Sequence, residues 1–168
     1  MILYGFYPGI NTPDKIIVHH STSLIAMHQA HLIDGWHEKR DFPKSQLGFF
    51  IGYHYVIEKD GTVLQARLVT EGGAHTVGQN FSSIGICLAG NFDIELPTVA
   101  QERSLAALID DEIGRWHLDS AAIYPHRAFA KKDCYGTRLS NDWARDVFLR
   151  NKIGWLKLML LWIKGNTK

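Results

Sequence analysis

The chain of 168 residues is 46% hydrophobic, enough to bury one sizeable core and fit one domain. Its formal net charge of +1 excludes the broad basic field of a nucleic-acid binder, so nucleic acid is not an expected partner. No run reaches the ~20 unbroken apolar residues of a bilayer span. Met1 to Pro8 lacks the basic flank and long apolar run of a secretory signal, and Cys87 and Cys134 are the only cysteines, so the expectation is synthesis in a reducing cytosol with both thiols unpaired.

Pro13-Asp14 reads as a turn feeding the β-branched strand Lys15-Ile16-Ile17-Val18-His19. Ala26, Ala30, Ile33 and Trp36 recur at helical spacing within a segment from about Ile25 to Lys39. Gly52 to Ile57 and Thr62 to Ala66 flank Asp60-Gly61, a pair suited to the positive-φ turn of a tight hairpin. Thr70 to Ser82 has no period and reads as a surface loop; Ile84 to Gly90 reads as a central strand. Thr98-x-x-Gln101 after Pro97 is a capping box, and Leu105, Leu108, Ile109, Ile113 and Trp116 give the helix it opens an apolar stripe. Ala121 to Tyr124 predicts a short last strand delivering His126, and Asn141 a cap for a helix holding Trp143, Val147 and Phe148. Strands alternating with long helices predict a single α/β domain, a central mixed β-sheet flanked by helices.

The residues with the richest chemistry are His19-His20-Ser21 at a strand end and, far downstream, His126 and Cys134 with Lys132 between them. Two imidazoles and a thiolate suit zinc and leave a tetrahedral ion one open position, the pattern of a catalytic site. Successive strand side chains point to opposite faces, so only one of His19 and His20 can bind; spacing leaves open which. Cys87, inside an apolar strand, reads as core, and His28, His31, His37 and His117 as surface or core residues of helices.

In order, Ile17-Val18-His19-His20-Ser21, Gly52-Tyr53-His54-Tyr55-Val56-Ile57 with Asp60-Gly61, Ala74-His75 with Asn80, Ser83 to Gly90, and Pro125-His126 leading to Lys132-x-Cys134 resemble the zinc amidases of the bacteriophage lysozyme (amidase) type and the related peptidoglycan recognition proteins. The resemblance runs from roughly Lys15 to Arg150. It implies zinc held by His19, His126 and Cys134, a catalytic pair Tyr53 and Lys132, and substrate contacts from His75 and Asn80. It implies peptidoglycan as partner and cleavage of the amide between the lactyl group of N-acetylmuramic acid and the first L-alanine of the stem peptide. Non-catalytic members of the family lack the Cys ligand, so Cys134 favours an enzyme. One departure stands out: Cys134-Tyr135-Gly136 replaces the family's Cys-Pro-Gly, and proline would have stiffened that loop.

The expectation is a phage or prophage endolysin, made in the host cytoplasm and acting on the cell wall after release. A cytoplasmic muropeptide-recycling amidase, a non-catalytic peptidoglycan-binding module and a structural zinc site are the alternatives. The domain is expected over 1–151, followed by an apolar, basic helical tail over 152–168 that either contacts a membrane surface or docks on its own core or on a second copy.

Overall fold

The computed structural model describes residues 10–25 and 28–165. Five strands form one mixed sheet: β1 (Lys15–His20), β2 (Tyr55–Ile57), β3 (Val63–Gln65), β4 (Ser83–Leu88) and β5 (Ile123–Pro125), in the order β3-β2-β4-β1-β5. β1 lies parallel to β4 and β5, β2 parallel to β4, and only the β2–β3 hairpin is antiparallel. β1 and β4 are buried almost throughout, as strands covered on both faces must be.

The two faces are covered differently. α1 (Gln29–Glu38) packs Ala30 and Ile33 against Val56 and Cys87 on one face. α2 (Val99–Trp116) and α3 (Trp143–Gly165) pack Leu105, Ile109, Trp143, Val147 and Phe148 against Ile16, Val18, Ile84 and Ile86 on the other. The result is a three-layer α/β/α sandwich in one domain.

The expected elements are found, with shifted ends. The capping box of α2 forms: Gln101 N donates to Thr98 Oγ1 and Thr98 N to Gln101 Oε1, each at 3.1 Å. Gly61 takes φ 90° in the hairpin turn. α1 is shorter than its apolar spacing suggests, because His28 adopts φ 59°, a left-handed value that cannot continue a helix backwards; Ala26 lies outside the described residues. Residues 52–54 bend instead of extending β2, and His54 turns its ring between the central strand β4 and the following loop, accepting from Gly85 N (2.9 Å) and bonding the Glu71 carbonyl (3.0 Å). The last strand starts later than expected, after a 3-10 turn over Ser120–Ala122. α3 begins at Trp143, and the carbonyl of Asn141 accepts from Tyr135 Oη at 2.8 Å.

Candidate active site

The two histidines of β1 leave the sheet on opposite faces. His20 turns toward Phe92 and accepts its amide on Nδ1 at 3.0 Å. His19 turns to the α1 face, where its ring meets Tyr53 and His126, the centroids 5.0 and 4.4 Å away. His126 is there because β5 pairs Pro125 with Val18, so the next residue emerges level with His19 and opens a 3-10 turn. Cys134 is brought back by Arg127, whose amide donates to the Cys134 carbonyl at 2.7 Å and whose guanidinium bonds the carbonyls of Gly136 (2.6 Å) and Leu139 (3.1 Å).

One ligand atom each from His19, His126 and Cys134 lies within 4.8 Å of the other two, with Cys134 Sγ 3.8 Å from His19 Nδ1. Among the described residues no fourth His, Cys, Asp or Glu joins this cluster. The donor set fits zinc: two imidazoles and a sulfur, with room for one more ligand. Burial and the neighbouring imidazoles of His75 and His126 hold His19 well below its ordinary pKa, and burial lowers His126 too, so both rings stay neutral, the form that binds metal. Burial pushes the Cys134 thiol up to about 11, so its thiolate calls for an adjacent cation.

His19 has a second partner. Its Nε2 lies 3.1 Å from His75 Nδ1, which is itself 3.0 Å from Thr76 Oγ1. With Nδ1 turned to the cluster, His19 carries its proton on Nε2 and donates it to His75, the bond that fixes a ligating ring's tautomer and angle. His75 Nε2 is buried without a partner, and a Cβ on Gly73 or Gly85 would come within 2.5 Å of the His75 ring. The backbone has been cleared to seat this imidazole. Asn80, the other residue expected at substrate, staples the same loop by accepting the amides of His75 (2.9 Å) and Thr76 (2.8 Å). Both residues also edge a shallow depression shared with His126 and Lys132.

The cluster faces an open groove of roughly 640 Å³. Its walls are His19 to Ser23, then Ile33, Trp36, His37 and Arg40, then Tyr53, and on the far side His126, Lys132 and Cys134. Among the described residues no carboxylate lines it, whereas Arg40 and Lys132 do. Burial first, and then the Cys87 thiol, raise the Tyr53 phenol well above its ordinary pKa, so it remains a hydrogen-bond donor. Lys132 is exposed at the lip, near enough to His126 for its charge to lower that ring's pKa.

Tyr135, where the family has proline, is fully buried. Its ring stacks edge-on to Trp143 (5.4 Å), sits under the Arg127 guanidinium (5.4 Å) and donates its hydroxyl to the Ser140 and Asn141 carbonyls. Gly136 has φ 101° against the Phe92 backbone, which a Cβ would meet at 2.4 Å. Packing thus fixes the Cys134 loop.

The sequence profile of the N-acetylmuramoyl-L-alanine amidases matches residues 10–137. The chain belongs to that family. It is 30% identical to the endolysin of Escherichia phage T7 over 146 residues, 84% of this chain and 92% of the endolysin. It is 30% identical to peptidoglycan-recognition protein SC2 of Drosophila melanogaster over 75% of this chain and 70% of that protein. Among solved structures, the N-acetylmuramoyl-L-alanine amidase LysC from Clostridium intestinale superposes with a TM-score of 0.71 at 26% identity, covering 84% of this chain and 87% of that one. The amidase fold accounts for the placement of the cluster at the ends of parallel strands, where open α/β sheets carry their sites.

Several residues of this site carry no motif of their own in the sequence. Arg127 adjoins His126 and holds the Cys134 loop; Trp36, His37 and Arg40 stand on or just beyond α1 and wall the groove. Trp36 fits the apolar stripe of α1, yet it is 39% exposed, and that exposure is what the periodicity hides. His37 does more than fill a helix face: its Nδ1 accepts from Gly52 N at 3.0 Å, beside Tyr53.

Proposed function

We propose that this chain is a zinc-dependent hydrolase of the amide between the lactyl group of N-acetylmuramic acid and L-alanine of the peptidoglycan stem peptide, working as a phage or prophage endolysin. The observation that carries the reading is the convergence of His19, His126 and Cys134, with no fourth protein ligand among the described residues, on the floor of a groove that Tyr53 and Lys132 also line. His20, the residue that kept a structural zinc site in play, is engaged with the Phe92 amide.

His19, His126 and Cys134 would hold the zinc, which when bound would supply Lewis acidity toward a carbonyl and lower the pKa of water to about 7. The chain's own groups do the rest. Tyr53, protonated at neutral pH, donates a hydrogen bond to the oxygen of the scissile carbonyl or orients the attacking water. Lys132 offers a positive charge to the oxyanion as the carbon becomes tetrahedral; loss of one such donor lowers the rate on the order of 10²–10³-fold. Arg40 and Lys132, in a groove that no carboxylate of the described residues lines, suit a stem peptide that carries free carboxylates. The match to the T7 endolysin, over 92% of that protein, supports the endolysin reading; such an enzyme is made in the host cytoplasm and acts on the wall after release.

The test compares wild type with Cys134→Ser by metal analysis and by digestion of purified muropeptides. Wild type is expected to hold one zinc and release free stem peptide together with lactyl-bearing glycan, while Cys134→Ser loses both. Intact muropeptides bound by the two proteins alike would assign a binding module instead.

A further inference from the structure

α3 begins inside the domain and ends outside it. Its first turns bury Trp143, Ala144, Val147 and Phe148 in the larger core. Lys152 ties the next turn to α2 through an ion pair with Asp110 at 2.5 Å, its ammonium 5.8 Å from the Phe148 ring centre. Beyond that point the helix runs on to Gly165, and five of its apolar side chains face water: Ile153, Trp155, Leu156, Met159 and Leu160 are each 52–64% exposed. At ~100° per residue, Trp155 and Met159 point to one flank and Ile153, Leu156 and Leu160 to another. Two exposed flanks mean that the domain covers neither, which removes docking on its own core as the resting place of these residues. Contiguous exposed apolar surface of this kind marks an interaction site.

Charge selects the occupant. From Val147 to the C-terminus the sequence has Arg150, Lys152, Lys157, Lys164 and Lys168 and neither Asp nor Glu. A second copy of the helix laid against the first, parallel or antiparallel, would bring cations onto cations; an anionic surface has the opposite sign. Arg150 and Lys157, both exposed, stand seven residues apart, close to two helical turns, so they fall on one side of this apolar helix, and the sequence repeats the spacing at Lys164. Lysine stems can lie along the apolar surface while their charged ends reach phosphates, and the Trp155 indole suits the headgroup level. Residues 153–165 rise only about 20 Å as a helix, short of a ~30 Å hydrocarbon core, and among the described residues no helix is long and apolar enough to cross a membrane. We propose that the distal half of α3 is an interfacial anchor that lies flat in the surface of a membrane rich in anionic phospholipid.

Flotation of the full chain with vesicles of phosphatidylcholine alone, or mixed with phosphatidylglycerol, tests this. Strong partitioning onto the mixed vesicles and little onto the neutral ones is expected. Each lysine removed should weaken it about fivefold, so Lys157→Gln with Lys164→Gln costs about 25-fold, and Leu156→Glu with Leu160→Glu abolishes it. All these variants should keep wild-type cleavage of soluble muropeptide, since none of the residues lines the groove, and that retained activity shows that they fold. Equal partitioning onto both vesicle types, or none onto either, would overturn the proposal. So would a dimer in light scattering that Leu156→Glu dissolves, because the apolar face would then belong to a second copy. Vesicle binding and amide cleavage are separate readouts, so the anchor and the amidase readings can each fail alone.

Discussion

A ligating imidazole has two degrees of freedom to lose, its tautomer and its rotation, and His75 removes both from His19 through one hydrogen bond. His75→Ala should therefore weaken zinc binding about 10- to 100-fold, the usual effect of removing such a partner. His75→Asn, whose side-chain oxygen can stand in for Nδ1, should recover part of the loss. Competition with a chromophoric chelator measures the affinity directly; equal affinity in wild type and His75→Ala would show that the bond does not tune the site. Residue identities narrowed the candidate ligands to His126, Cys134 and one of the His19-His20 pair, because few side chains suit zinc, and the resemblance to a known family implied His19. Spacing left the choice between His19 and His20 open, and the strand's register against β5 puts His19 beside His126. The His75–His19 bond was invisible for a different reason: the loop from Thr70 to Ser82 has no period, so nothing local says that its histidine turns inward under His19. Tyr135 was illegible in the same way. Its substitution for proline reads as loss of stiffness until the ring is seen buried against Trp143 and Arg127.

Elements whose ends are defined by neighbours in sequence were readable, and those defined by distant ones were not. α2 opens with a capping box contained in four residues, and the structure has it. α1 opens without a side-chain cap of its own; the Glu58 carboxylate, 29 and 28 residues away on the hairpin, accepts the amides of Gln29 (3.1 Å) and Ala30 (2.8 Å). A carboxylate at this position neutralises two orphan donors and faces the positive end of the helix. Glu58→Gln keeps an acceptor but loses the charge, and it should lower stability by about 1–2 kcal/mol. Because α1 carries Ile33, Trp36 and His37 into the groove wall, the first turn of this helix should also exchange its amide protons faster in the variant. Urea unfolding with hydrogen exchange reads both effects; an unchanged midpoint would show that water replaces the carboxylate at no cost.

The whole molecule depends on connections that no local pattern announces. β4 sits between β1 and β2, and β5 adds on the far side of β1, so three of the four connections between strands cross over, through α1, the long loop and α2, and the pairings β1–β4, β1–β5 and β2–β4 are parallel. Alternation and turn chemistry predicted a mixed sheet, but strands of three residues such as β2, β3 and β5 hold too little pattern to fix an order. This closed arrangement also buries histidines that are not ligands. His54 accepts the Gly85 amide and His37 the Gly52 amide, each on an unprotonated Nδ1, and burial lowers both rings from 6.5 to about 4. Between those two pH values the unfolded chain takes up protons that the folded chain refuses, so stability is full above about 6.5 and falls as the pH drops toward 4. At His54, fully enclosed, a shift of this size corresponds to roughly 3 kcal/mol once the pH is below the folded value, and His37, nearer solvent, contributes less. Urea midpoints of the metal-free protein should fall steeply across that window. His37→Gln, whose amide oxygen can still accept from Gly52, should flatten the slope by its own share whatever it does to stability at neutral pH. A midpoint that stays level down to pH 4.5 would mean that these rings are protonated in the folded state and that the two backbone amides have found other acceptors.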